Sequence, residues 1–352
     1  MKYNKHIVLL TPGFAKNEGD TTCIPTLQAY VESFTAIHPE IKLSIITFQY
    51  PFINRQYKWK SVDVYACGGK NRKLPYKFII WNRALKYFKQ INESHKVDLI
   101  HSFWLSDCAL IGNRLAKKSR VHHIITLMGQ DAKPDNKYLR WINLSKCTTV
   151  CLSENHKTIF ERTSGISDSK IIPWGINPAE FHYDENQSRE IDIIGVGSFI
   201  ELKNYILFIK IIEKLKQSKG NIQALLIGGG VQHEMLQSEI IKRGLRDNLR
   251  IEGQLPRPEV LNLMRKSKIL LHTSVYESQG YVFFEAMQFG LKIVSFDIGS
   301  AKSSDNWFLA KDKNEMEEAL LRFLSESTKD KTKKPPIIGE TVEKYFSLFK
   351  HK

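Results

Sequence analysis

Short apolar runs alternate with longer amphipathic segments along the whole chain, and that alternation narrows the choice of fold more than any other feature. HIVLLT, LSIITF, VDVYAC, VDLIHS, HHIITLMG and CTTVCLS in the first half read as strands, as do IDIIGVGSF, IQALLIGGG, LRIEG, KILLHTS and LKIVSFD in the second. Segments of helical period lie between them at 26–35, 76–93, 205–217, 258–265 and 315–324. Strands and helices in alternation predict parallel sheets in an α/β fold. Two such series predict two doubly wound domains. The 352 residues suit two domains of about 150 each, enough to bury about three quarters of the unfolded surface.

The boundary is legible. After SKIIPWGINPAEF comes HYDENQSRE, polar and without period, so a linker is expected over 173–190 between domains at 1–176 and 187–328. A second soft stretch, SESTKDKTKKPP, ends in Pro335 and Pro336, which break regular structure. The chain closes on an amphipathic helix expected at about 338–350, which packs back on the first domain or touches a membrane. There is no short-period repeat. No apolar run approaches the ~18 residues a membrane span needs. The opening MKYNKHIVLLTPGF is too short in its apolar part for a signal peptide and reads as a first strand. The five cysteines are odd in number, widely spaced and without a CxxC, which suits small buried hydrophobes in a reducing compartment.

Hydrophobic residues at 42% and charged residues at 25% are ordinary and exclude collagen, long disorder and coiled coil. The net charge of +15 is not ordinary and implies an anionic partner: nucleic acid, a membrane surface or a phosphate-bearing ligand. It is concentrated. Residues 55–89 hold ten basic residues against Asp63 alone, interleaved with Tyr57, Trp59, Tyr65, Tyr76, Phe78, Trp81, Tyr87 and Phe88. That mixture fits an anionic membrane interface. It also fits single-stranded nucleic acid, or a solvated basic face with its aromatics turned inward.

The chemistry gathers in HTSVYESQGYVFFEAMQFGLKIVSFD. A strand ends, a loop follows, and a helix begins near Tyr281. Ligands of open α/β sheets bind beyond the carboxyl ends of the strands, which is where Glu277 lies. Gly280, Tyr281 and Val282 present backbone N–H groups at the helix entry, suited to a phosphate. Glu285 stands eight residues after Glu277 and could accept hydrogen bonds from a vicinal diol such as a ribose; both carboxylates could equally serve the helix dipole alone. Upstream, Lys203 follows the strand and Gly-Ser turn of IDIIGVGSF and is placed to meet an anion. The glycines Gly228–Gly230 allow close backbone approach to a ligand or simply a tight turn.

In order, GVGSFIELKN, LLIGGG, RIEGQLPRPEVLNLM and TSVYESQGYVFFEAMQFGLKIV resemble the retaining glycosyltransferases of GT-B fold, the glycogen-synthase-like glycosyltransferase family 4. The Glu277-x7-Glu285 spacing and the FEAM-FG-K-IV continuation carry the resemblance. The first half is similar more loosely, through LLTPGF, DLIHSFW, TLMGQDA and IIPWGINPAEF. The resemblance implies two facing Rossmann-like domains with the active site in the cleft between them. It implies that Glu285 binds the nucleotide ribose, that Glu277 contacts the donor sugar, and that Lys203 neutralises the diphosphate. Gly280, Tyr281 and Val282 would meet the phosphates, Ser198 and Gly253 would line the donor site, and Gly13 would face the donor from the first domain. Many members carry Arg where Ser198 stands and His where Met128 stands. One positive charge on the diphosphate is therefore missing or comes from elsewhere.

The expected reaction moves a sugar from a nucleotide sugar to a glycan or lipid-linked acceptor with retention, without metal or cofactor. The chain has no Asp-x-Asp, and its paired His122 and His123 read as structural. The resemblance also favours a membrane surface over nucleic acid for residues 55–89, on the acceptor side, and implies a cytoplasmic enzyme peripheral to the inner face of the membrane. Two other readings stay open: a scaffold of the same fold that has lost catalysis, and a nucleic-acid-binding protein.

Overall fold

The computed structural model describes residues 3–181, 188–326 and 334–350. The chain divides into two compact units, Met1–Gly175 with Ile337–Lys352, and Ile176–Pro336.

The first unit is built on β1 (Lys5–Gly13), α1 (Pro25–Ile37), β2 (Ile41–Tyr50), β3 (Arg55–Trp59), β4 (Val62–Ala66), α2 (Tyr76–Ser94), β5 (Leu99–Phe103), α3 (Asp107–Ser119), β6 (His122–Thr126), β7 (Thr148–Cys151), α4 (Glu154–Ser164) and β8 (Lys170–Ile171). Its sheet runs β3-β4-β2-β1-β5-β6-β7-β8 and is parallel except for the β3–β4 hairpin. Helices cover both faces, so Ile7 to Leu10 of β1 are fully buried. Val8 and Leu10 pack with Ile80, Ala84 and Phe88 of α2 and Ile111 and Leu115 of α3. With Tyr87 and Ile91, the buried α2 residues recur at three- and four-residue steps, the stripe of a one-faced helix.

The second unit carries β9 (Ile191–Val196), α5 (Tyr205–Lys219), β10 (Ala224–Ile227), α6 (His233–Lys242), β11 (Leu249–Glu252), α7 (Arg257–Arg265), β12 (Ser267–His272), α8 (Tyr281–Gln288), β13 (Lys292–Ser295), β14 (Trp307–Leu309) and α9 (Lys313–Ser325). Its sheet is all parallel, in the order β11-β10-β9-β12-β13-β14. The chain starts at the centre, winds to one edge, returns and winds to the other. The reversal of strand order falls between β9 and β12, where doubly wound sheets open a crevice.

Three strands escape the apolar-run criterion. β3 is the Arg- and Lys-rich edge strand RQYKW, and β8 and β14 are two and three residues long. Helices α3, α4 and α6 escape the periodicity for other reasons: of the seven residues α3 buries, all but Ile111 and Leu115 are small or polar. α4 and α6 each bury two side chains, His156 with Phe160 and Leu236 with Ile240, too few for a readable stripe.

Residues 176–181 are not a solvated linker. They belong to the second unit, with Ile176 and Phe181 buried and Asn177 capping a short 3-10 turn at Pro178–Glu180. Residues 182–187 of the expected linker, and 327–333 of the second soft stretch, lie outside the described residues. The last helix, α10 (Ile338–Lys350), clusters with the first unit. It buries Ile338, Val342, Tyr345 and Phe349, and its Thr341 Oγ1 donates to Pro173 O and accepts from Gly175 N–H, each at 2.8 Å. Tyr345 meets Tyr30 of α1, which also contacts Phe103 and Trp174.

Candidate active site

The site residues of the second unit follow from the crevice between β9 and β12. β9 ends at Val196, and the chain turns through Gly197 at φ +150° into a short 3-10 turn, Glu201–Lys203. Asn204, left-handed at φ 49°, starts α5. The three glycines after β10 support this turn. A Cβ on Gly228 would stand 1.9 Å from Gly197 O, and one on Gly230 2.6 Å from Phe199 O. Both have positive φ, 155° and 152°, so backbone lies against backbone where a side chain would block it. What these glycines approach is the backbone of the β9 loop.

The β12 loop is stitched to the same turn. Val275 N–H donates to Leu202 O at 3.0 Å, Thr273 Oγ1 to Lys203 O at 2.9 Å and Ser274 Oγ to Leu202 O at 3.1 Å. These bonds hold Lys203 against Glu277, and the two form an ion pair with both side chains largely buried. Glu277 Oε1 also accepts from His272 Nε2 at 2.8 Å. Burial alone would raise the Glu277 pKa, but the His272 hydrogen bond and the Lys203 charge overcome it and hold the carboxyl near 2. Burial is the main force on His272 and depresses its pKa. The imidazole is thus neutral at pH 7, and since an ionised carboxylate only accepts, its proton sits on Nε2.

Gly280, at φ +74°, turns the chain into α8, and a Cβ there would strike the Phe283 ring at 2.5 Å. The first turn of α8 holds Tyr281 and Val282. Gly299, after β13, closes the loop from the other side: Ser300 N–H donates to Gln279 O at 2.8 Å, and a Gly299 Cβ would stand 2.9 Å from Glu277 Cβ.

Glu285 lies on α8 with 5% of its surface exposed. Arg257, the first residue of α7, reaches Glu285 Oε1 through Nη1 and Glu180 Oε2 through Nε, both at 2.5 Å. Its guanidinium lies 5.7 Å from the Tyr281 ring centre.

The structure thus brings Lys203, Glu277, Gly280, Tyr281 and Val282 together, with Glu285 on the same helix as the last two. Ser198 is exposed beside Gly197. Gly253 follows β11, with nothing among the described residues within 4 Å of where its Cβ would stand, its chain neighbours aside. Gly13 belongs to the first unit, at the end of β1, where a Cβ would lie 3.0 Å from Cys23 Sγ. Met128 and Asp131 are in that unit too. Asp131 holds their loop, accepting from Leu105, Met128 and Gly129 N–H at 2.8, 3.1 and 2.6 Å. Sequence reasoning missed His272, Arg257 and Glu180. A buried polar residue at the end of KILLH was the signal for His272. Arg257 looked like any helix-start cation, and Glu180 sat in a supposed linker.

Residues 179–334 match the family model for Glycosyl transferases group 1. An uncharacterized glycosyltransferase of Methanocaldococcus jannaschii is 25% identical over 279 residues, 76% of this chain and 75% of that one. One subunit of the human phosphatidylinositol N-acetylglucosaminyltransferase is 26% identical over 164 residues, 45% of this chain and 34% of the human protein. Among solved structures, sucrose-phosphate synthase of Thermosynechococcus elongatus superposes with TM-score 0.75 at 16% identity, over 98% of this chain and 95% of that one. Anabaena HepE in complex with UDP and glucose gives TM-score 0.67 at 15% identity, over 98% and 95% of the two chains. Together they support a glycosyltransferase of GT-B fold.

Proposed function

We propose that the protein moves a sugar from a nucleoside-diphosphate sugar to a glycan or lipid-linked acceptor with retention of anomeric configuration, in the synthesis of a cell-surface polysaccharide, O-antigen or capsule. The observation that carries this reading is the Lys203–Glu277–His272 cluster at the reversal of strand order, beside the amino end of α8. Lys203 and the first-turn backbone of α8 meet the donor diphosphate and stabilise the charge that grows on it as the glycosidic bond breaks. Glu277, ionised at neutral pH, accepts hydrogen bonds from the donor sugar and is not a nucleophile. A diphosphate offers the Lys203 ammonium a second anion, and His272 then keeps Glu277 in place. Glu285 takes the ribose hydroxyls. Neither metal nor organic cofactor takes part. The likeness to a protein solved with UDP and glucose supports a nucleotide-sugar donor.

The acceptor side is read from the first unit. Trp59, Tyr87 and Phe88 turn into its core, so part of the basic and aromatic stretch is ordinary packing. Residues 70–79 differ. Leu74, Tyr76, Phe78 and Ile79 are exposed large hydrophobics, and Lys70, Arg72 and Lys73 are exposed among them. Apolar side chains interleaved with cations fit an anionic bilayer surface. Among the described residues no helix is long and apolar enough to cross a membrane. The proposed location is therefore peripheral, on the cytoplasmic membrane face, and the lipid-linked acceptor is met there. Nucleic acid is not a partner in this reading. Sedimentation with vesicles checks it: binding to phosphatidylglycerol vesicles and not to phosphatidylcholine ones, reduced at least severalfold in Phe78→Ser, is the expected result.

Calorimetric titration with UDP and GDP, followed by turnover on a panel of nucleotide sugars, tests the main reading. Binding followed by sugar release or transfer supports it; no binding of either nucleotide removes it. Ser198 and Met128, where related enzymes carry Arg and His, favour a second reading, a scaffold. Nucleotide binding with no turnover on any donor would select that one.

A further inference from the structure

Glu180, Arg257 and Glu285 form a charge chain separate from the Lys203 cluster, drawn from three places: the start of the unit, the first residue of α7 and the middle of α8. We infer that Arg257 is a positioning residue for nucleotide recognition, holding the Glu285 carboxylate in one orientation and opposing its protonation, so that it accepts hydrogen bonds from the vicinal diol of a ribose. This rests on the reading of Glu285 as the ribose-binding carboxylate.

The need for such a residue follows from burial. Glu285 is almost fully enclosed, and burial pushes its carboxyl pKa up. A protonated carboxyl loses acceptor capacity, and a diol brings no positive charge of its own. The opposing charge must come from the protein, and Arg257 supplies it, though burial still leaves the Glu285 carboxyl above its ordinary range.

The geometry suits arginine and not lysine. One planar guanidinium serves two carboxylates through different nitrogens while lying over the Tyr281 ring. Pro256 and Pro258 flank it and fix the backbone at the start of α7. Glu180 secures the far side of the guanidinium. With two carboxylates already on it, Arg257 is not the second phosphate cation that Ser198 leaves missing. The charges facing Glu285 are Arg257 and Glu180, with Tyr281 on its own helix. Arg189, at the far end of α8, donates to the carbonyls of Phe289 and Gly290, and the Lys292 ammonium is taken up by Phe323 O and Glu326.

Calorimetric titration of UDP, GDP and inorganic pyrophosphate from pH 5 to 8 tests this in the wild type, Arg257→Leu, Arg257→Lys and Glu180→Gln, each first checked for folding by thermal melting. In Arg257→Leu the nucleotide is expected to bind about tenfold more weakly at pH 7, the worth of one hydrogen bond to a charged group. That loss should shrink as pH rises and Glu285 gives up its proton. Pyrophosphate, which has no ribose, should bind all variants alike. Arg257→Lys, which keeps the charge and loses the fork, should recover only part of the affinity. Glu180→Gln, which removes a like charge facing Glu285, should move the acid fall of nucleotide binding to lower pH. Wild-type nucleotide affinity in Arg257→Leu, or equal loss of pyrophosphate and nucleotide with no recovery at high pH, overturns the inference and leaves the donor site standing. If Arg257→Leu does not fold, an unmoved acid limb in both Arg257→Lys and Glu180→Gln overturns it. No nucleotide binding by the wild type overturns the donor-site reading and this inference with it.

Discussion

Glu277 Oε1 has two hydrogen-bond partners, and they do different work. Glu277 Oε1 accepts from the Lys203 ammonium and from neutral His272 Nε2. Lysine supplies charge that a diphosphate can claim; histidine, fully enclosed, supplies direction and stays. Lys203→Ala should therefore lower turnover by about 10²–10³-fold, the scale of one preorganised charge-stabilising donor, while the protein stays folded. Steady-state kinetics on the donor found by the nucleotide-sugar panel measures this, and wild-type turnover would remove Lys203 from the site. His272→Phe keeps the volume and drops the donor. Glu277 should then titrate at higher pH, and the acid limb of the pH–rate profile should move up with it.

At the level of the element, glycines with similar surroundings in the sequence have unlike jobs. Gly228, at φ +155°, leaves no room for a Cβ against Gly197 O, whereas Gly253 has open space. Gly228→Ala should push the β9 turn outward, carry Lys203 with it, and cost several kcal/mol, since positive φ strain and a backbone clash add. Gly253→Ala should leave stability within about 0.5 kcal/mol, as uncrowded surface changes do. Thermal melts of both variants with UDP titrations check the pair. A lower nucleotide affinity in Gly253→Ala at unchanged melting temperature would place Gly253 in the donor site. Equal melting temperatures for both variants would contradict the packing described for the β9 turn.

For the molecule as a whole, acid is the expected weakness of the first unit. His6 and His156 are pushed down to about 4, and His101 and His123 to about 3, in each case chiefly by burial. Their unfolded pKa is 6.5, so the unfolded chain takes up protons first as pH falls. Stability present above pH 6.5 is then lost between 6.5 and about 4, at about 1.4 kcal/mol per pH unit for each histidine that stays neutral in the fold. The second unit has His272 depressed in the same way, so the order of loss rests on four such histidines in the first unit against that one. Glu277, depressed from 4.5 to about 2, withdraws its contribution only as pH falls through that window. Scanning calorimetry between pH 7.5 and 5 should show the transition of the first unit dropping well before that of the second. A first unit whose melting temperature is flat over that range would show that these histidines are not held neutral.

By itself the sequence determined the α/β class, the division into two winding series, the position of Glu277 and Lys203 in loops after strands, and that of Glu285 about one turn into the next helix. Each of those rests on local information: apolar period, glycine turns and the order of elements along the chain. It left β3, α4 and α6 obscure because a polar edge strand, or a helix burying two side chains, has no local signature. Only the tertiary structure decided that His272 orients Glu277, that GGG makes room for the β9 turn, and that Glu180 and Arg257 close on Glu285. Glu180 and Glu285 are 105 residues apart in the chain. Their meeting on one guanidinium depends on burial and on the winding of a sheet, and neither quantity is a property of any short stretch of residues.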